Sequence, residues 1–183
     1  MRRKRLKTQT LYVLKKLFYA LSVIALFTTF VSCQNVAYLN KFGDVDVAMG
    51  NYDEAIVDYT HAINYKPTDP DGYLGRGYAY QMKGNMQMAI ADYSKAISLA
   101  PGDPYIYLIR GMVYALNSND QQAVIDFTSA ITLDPTNKKA YLNRAESYDR
   151  MGEKDKSVAD YQRAALLGNA KAQSVLMSKG IRW

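Results

Sequence analysis

Residues 70–103 read PDGYLGRGYAYQMKGNMQMAIADYSKAISLAPGD. Residues 104–137 read PYIYLIRGMVYALNSNDQQAVIDFTSAITLDPTN, and residues 138–171 read KKAYLNRAESYDRMGEKDKSVADYQRAALLGNAK. Written under one another, the three align without a gap at a period of 34. A weaker fourth copy, VAYLNKFGDVDVAMGNYDEAIVDYTHAINYKPTD, precedes them at 36–69. A fixed period of this length marks an array of supersecondary units that cannot bury their apolar faces alone and therefore stack.

The columns of the alignment show what each unit is. Gly43, Gly77, Gly111 and Ala145 share one position, Ala55, Ala89, Ala123 and Ser157 a second, and Ala62, Ala96, Ala130 and Ala164 a third. Small side chains at fixed points on two helices let the backbones approach closely. Tyr80, Tyr114 and Tyr148, with Tyr59, Tyr93, Phe127 and Tyr161, supply the bulk that fills the remaining space. Apolar spacings of three and four, as in Ala89-Ile90-Tyr93-Ala96-Ile97, are helical. Asp69-Pro70 and Asp103-Pro104 put a capping acid before a proline at the first helical position, and Asn137 caps the next unit. Pro67, Pro101 and Pro135 stop the second helices, while Gly50, Gly84 and Gly152 fall in the turns between the two helices of a unit. Each unit is a helix–turn–helix.

This pattern resembles the tetratricopeptide repeat, and the resemblance covers residues 36–171. It implies an all-α superhelical solenoid of about four units: 36–69, 70–103, 104–137 and 138–171. In the first unit Asp46 stands where the tyrosine belongs, so a frayed or short first helix is expected there. The tail, 172–183, carries Ala172, Val175, Leu176 and Met177 at helical spacing and reads as a helix that caps the last groove.

The resemblance also implies a protein-binding scaffold, with the first helix of each unit lining a concave groove. The groove positions it points to include Tyr78, Met82, Tyr105, Ile109, Met112 and Leu116, an apolar strip suited to an amphipathic helix or an extended segment. The charged clamp with which some family members grip a C-terminal carboxylate is missing, its positions being held by residues such as Asn40, Gly75, Tyr105 and Ile109. The alternative occupant is a small molecule, lipid or glycan. Two charged columns also recur at 34: Arg76, Arg110 and Arg144 on first helices, and Asp58, Asp92, Asp126 and Asp160 on second helices. We read them as a structural Arg–Asp ladder clamping helices together.

Catalysis finds little support. His61 is the single histidine and Cys33 the single cysteine, which excludes the usual zinc sites and any intrachain disulfide. No glycine-rich phosphate loop occurs. The expectation is a protein that is not an enzyme and needs no cofactor or metal.

The N-terminus has a separate logic. The first sixteen residues hold seven basic side chains and no acid, and residues 17–32 (LFYALSVIALFTTFVS) carry no charge. That is the layout of a signal peptide over 1–32. Sixteen helical residues reach about 24 Å, short of a hydrocarbon core of about 30 Å, so a retained transmembrane anchor is the lesser alternative. Phe30-Val31-Ser32-Cys33 resembles a bacterial lipobox, which implies lipid attachment at Cys33 and a tether in the cell envelope. Gln34 is not the aspartate that holds such proteins at the inner membrane of enteric bacteria, so the periplasmic face of the outer membrane is expected. The whole chain carries a formal +6, but from Cys33 onward 16 basic residues face 17 acidic ones. The folded part has no basic surplus with which to bind nucleic acid.

Overall fold

The computed structural model describes residues 36, 37 and 39–183. The signal-peptide and Cys33 readings lie outside the described residues. Residues 36, 37 and 39–49 are helical (α1), and eight further helices follow: α2 (Tyr52–Tyr65), α3 (Pro70–Met82), α4 (Met86–Leu99), α5 (Pro104–Leu116), α6 (Asp120–Leu133), α7 (Lys138–Arg150), α8 (Lys154–Leu166) and α9 (Ala170–Ser178). Among the described residues there is no strand. Packing from α2 onward is chiefly between helices consecutive in the chain, and α5 also touches α7. The architecture is an all-α solenoid.

Local chemistry sets the helix ends. The Asp69 and Asp103 carboxylates accept the N–H groups of Asp71 and Tyr105 at 3.2 and 2.8 Å, with proline next in the chain. Asn85, Asn119, Asn137 and Asn169 cap α4, α6, α7 and α9 in the same way through their side-chain oxygens. Between the helices of a unit the chain turns through the left-handed region at Gly50, Gly84 and Gly152, with φ of 82°, 79° and 79°. In the third unit that place falls to Ser118, at φ 58°. A side chain is strained there, because its Cβ crowds the following carbonyl.

The core follows the alignment columns. Ala55, Ala89 and Ala123 are fully buried, as are Ala96, Ala130 and Ala164, and Ser157 is buried in the fourth unit. Against these surfaces lie Tyr59, Tyr93, Phe127 and Tyr161, at most 4% exposed. The helix pair of the third unit closes where a Cβ on Gly111 would stand 2.7 Å from the Phe127 ring, so only glycine fits. Tyr80 and Tyr114 are partly buried and pack on the edges of these clusters.

One expectation changes. The first helix does not fray at Asp46 but continues to residue 49. Aspartate in place of tyrosine removes packing bulk while leaving the backbone helix intact, and Asp46 instead accepts from Asn51 Nδ2 at 3.4 Å. At the other end, α9 buries Ala172 and Leu176 fully, but Met177 is 64% exposed. Met177 lies on the outer face of α9. Among the described residues no helix is long and apolar enough to cross a membrane.

Candidate functional site

The first helices of successive units present their exposed faces to one open concavity of about 750 Å³. Tyr78 on α3 and Tyr105, Ile109 and Met112 on α5 line it together. Tyr105 is 59% exposed and Met112 39%, so both have apolar area to offer a ligand. Met82 and Leu116, also read from sequence as groove residues, are exposed but lie outside this concavity. Each sits four residues beyond an included neighbour (Tyr78, Met112), a displacement of about 6 Å along the helix axis. Leu116 instead borders a smaller hollow of about 160 Å³ with Met112, Ala115 and Phe127.

Two of the large second-helix residues, Tyr59 and Tyr93, also line the concavity. Tyr93 donates its hydroxyl to Gln81 Oε1 at 3.1 Å, and Tyr161 donates to Asp149 Oδ2 at 3.1 Å. In the third unit both halves of this pair are gone: Phe127 has no hydroxyl and Ala115 no acceptor. The co-absence is physically consistent, because a buried hydroxyl without a partner costs about 1–3 kcal/mol. It also leaves the small hollow, since Ala115 does not reach the space that Gln81 and Asp149 fill in their own units. In the first unit Tyr59 finds a different acceptor, Asp44 Oδ1, at 2.7 Å. Burial first, and then the Asp44 hydrogen bond, hold the Tyr59 hydroxyl well above the ordinary phenol range.

Charge is distributed unevenly along the concavity. Asp44 lines its first-unit end, and Lys139 and Lys171 line its fourth-unit end with Asn143 and Asn169. Lys171 pairs with Glu146 at 2.5 Å. Near the acidic end, burial and then repulsion from Asp69 and Asp44 raise the Asp71 carboxyl above its ordinary value.

The Arg and Asp columns meet within units, and none of these side chains lines the concavity. Arg76 binds Asp92 through Nε–Oδ2 and Nη2–Oδ1, both 2.8 Å. Arg110 binds Asp126 at 2.7 and 2.7 Å, and Arg144 binds Asp160 at 2.7 and 2.8 Å. The third nitrogen of each arginine reaches back to the preceding unit: Arg76 to Thr60 Oγ1 at 3.1 Å, Arg110 to Ser94 Oγ at 2.8 Å, and Arg144 to Thr128 Oγ1 at 2.9 Å. Each hydroxyl in turn donates to a backbone carbonyl one helical turn earlier, that of Ile56, Ile90 or Val124. One guanidinium thus ties three helices. Asp58 does not join the ladder, because the arginine position of its unit is held by Phe42. Its neighbours are Asp46 and His61, and its carboxyl is pushed up by burial first and then by Asp46. The Thr60, Ser94, Thr128 column was missed from sequence, although its period of 34 was there to find.

His61 faces solvent on α2. Among the described residues no group of three or more His, Cys, Asp or Glu side chains is placed to hold a metal ion.

Comparison with known proteins agrees with this geometry. Tetratricopeptide repeat models match residues 70–103 and 138–167, and a TPR repeat model matches residues 43–84. No curated protein matches the chain in sequence. Among solved structures the chain is similar to MamA, at 25% identity and a TM-score of 0.71, covering 81% of this chain and 85% of that one. It is similar to pilF of Pseudomonas aeruginosa at 15% identity and a TM-score of 0.72, over 81% and 71% of the two chains. It is also similar to the first TPR of Spaghetti (RPAP3) bound to an HSP90 peptide, at 24% identity and a TM-score of 0.63, over 65% and 94%.

Proposed function

We propose, on the premise that this chain is an array of tetratricopeptide repeats, that it is a non-catalytic scaffold that binds a segment of another protein in its concave groove. The observation that carries the reading is the row Tyr78, Tyr105 and Met112, three large side chains left substantially exposed on one concavity. Their apolar area is of the kind that a partner covers. Tyrosine offers a rigid apolar face with a polar tip, and methionine adapts its shape to what it meets. An open groove suits an extended or helical segment better than a compact ligand. The volume of about 750 Å³ falls within the range of small-molecule sites, and that is the observation favouring a lipid, glycan or small-molecule receptor as second reading.

The test is a photo-crosslinking amino acid placed at Tyr105 and, as control, at Ile125, which is exposed on α6 outside the concavity. Protein-sized adducts from position 105 and none from 125 support the scaffold. Adducts with lipid or glycan mass support the second reading.

The site of action we propose is the cell envelope, with Cys33 lipidated after removal of residues 1–32 and the solenoid on the periplasmic face of the outer membrane. What supports this is the basic head, the uncharged run and the Val31-Ser32-Cys33 sequence that follows it. Metabolic labelling with a fatty-acid analogue tests it: Cys33→Ser loses both label and membrane retention. Full retention of the mutant at the uncleaved mass supports a transmembrane anchor instead.

A further inference from the structure

The groove is charged at its two ends with opposite sign, and among the described residues neither Asp44 nor Lys139 enters an ion pair. Asp44 gives one carboxylate oxygen to the Tyr59 hydroxyl at 2.7 Å and keeps the other. Lys139 is exposed at the opposite end of the lining. Beside it Asn143 brings an amide to the same wall, and Lys171 stands next to it in its pair with Glu146. Asp71, outside the lining but close enough to Asp44 to feel its charge, adds to the acidic character of this end, its carboxyl raised by burial and then by Asp69 and Asp44. The asymmetry extends beyond the lining. Residues 36–103 hold nine acids against five bases, and residues 104–183 hold eleven bases against eight acids. Between the ends lie only uncharged side chains, chiefly Tyr78, Tyr105, Ile109, Met112 and Leu142.

We propose that the occupant of the groove is an amphipathic protein segment with a basic end, an apolar middle and an acidic end, lying with its basic end at Asp44 in the first unit and its acidic end at Lys139 in the fourth. This rests on the scaffold reading and adds the chemistry and the direction of the partner. A uniformly charged segment meets repulsion at one end, and a lipid with one anionic headgroup leaves Asp44 without a counter-charge. Opposite charges at the two ends therefore fix direction, a task to which interface charges are better suited than to raw affinity.

The probe is a set of three synthetic peptides that share one apolar middle and differ in their end residues: lysine at one end and glutamate at the other, lysine at both, or glutamate at both. Binding to the full chain is read by fluorescence anisotropy at low salt. The mixed peptide is expected to bind at least threefold more tightly than either uniform one, with the difference shrinking as salt rises. Asp44→Lys is expected to move the preference to the all-glutamate peptide, and Lys139→Glu to the all-lysine peptide. Equal affinity for all three, or a preference that both reversals leave unchanged, overturns the proposal. Failure of every peptide to bind, while a crosslinker at Tyr105 still captures protein, also overturns it and leaves the scaffold reading standing. If position 105 captures no protein at all, it is the scaffold reading that fails.

Discussion

Arg110 and Asp126 meet across the α5–α6 pair in a two-point contact, Nε to Oδ2 and Nη2 to Oδ1 both at 2.7 Å, with Asp126 2% exposed. The fork of the guanidinium matches the two carboxylate oxygens, and Ser94 of the preceding unit takes the remaining nitrogen at 2.8 Å. The pair recurs in the second and fourth units with the same geometry. It sets the spacing of helices within a unit and the register between units together.

Arg110→Leu leaves the buried Asp126 carboxylate uncompensated and should destabilise the fold by about 3–5 kcal/mol. Arg110→Leu combined with Asp126→Leu should recover most of that loss, since an apolar pair replaces the ion pair without a stranded charge. Chemical denaturation of the two variants measures both. An unchanged midpoint for Arg110→Leu alone would show that the contact contributes nothing.

Ser118 occupies the turn position that Gly50, Gly84 and Gly152 hold elsewhere, at φ 58°. Ser118→Gly relieves the left-handed strain and should stabilise the protein by about 1 kcal/mol, less what glycine costs through the unfolded chain. A thermal melt reads the effect as a rise in Tm.

The missing hydroxyl pair of the third unit can be rebuilt. Phe127→Tyr alone buries an O–H beside Ala115 and should cost about 1–3 kcal/mol. Adding Ala115→Gln copies the Tyr93–Gln81 pair, for which the bond is 3.1 Å, and should restore stability. A double-mutant cycle by denaturation gives the coupling directly, and additive effects would contradict it.

Asp149 joins the fourth unit to the capping helix. It accepts from the Ser157 hydroxyl, from Tyr161 at 3.1 Å and from Lys179 Nζ at 3.3 Å. Burial alone would raise its carboxyl, but the hydrogen bonds from Ser157, Tyr161 and Lys179 overcome it and hold the group below the ordinary value. A depressed carboxyl stabilises the fold fully above its unfolded pKa, near 4, and that stability is lost as pH falls through the lower folded value. The wild type should therefore lose stability below pH 4 more steeply than Asp149→Asn, as a pH series of melts would show.

Much of this was legible in the sequence because a repeat reports each position several times. The Gly111–Phe127 contact, the buried alanines and the asparagine and aspartate caps all stand in columns, and a column of small or capping residues has few physical explanations. What stayed hidden had a reason in each case. Thr60, Ser94 and Thr128 look like solvent-facing helix residues until the arginine one unit later is seen to reach them. Asp58 sits in the ladder column by sequence, but membership requires a partner, and Phe42 cannot be one. Met82 and Leu116 share chemistry with the groove residues, yet neither lines the concavity, a distinction that periodicity alone does not make. Asp44 and Lys139 stand in the groove columns of Tyr78 and Tyr105, but neither charge repeats from one unit to the next, so no repetition marks them.

A partner segment that fills the groove covers Tyr78, Tyr105 and Met112. Burial of one such side chain contributes about 1.5–3 kcal/mol, and each 1.4 kcal/mol is about tenfold in affinity. The most direct measurement is titration of the partner captured at position 105 into the wild type and into Met112→Asp, with circular dichroism and a melt showing that the variant is folded. Binding to Met112→Asp should be at least tenfold weaker, and an affinity unchanged from the wild type in the folded variant would contradict a partner seated in the groove.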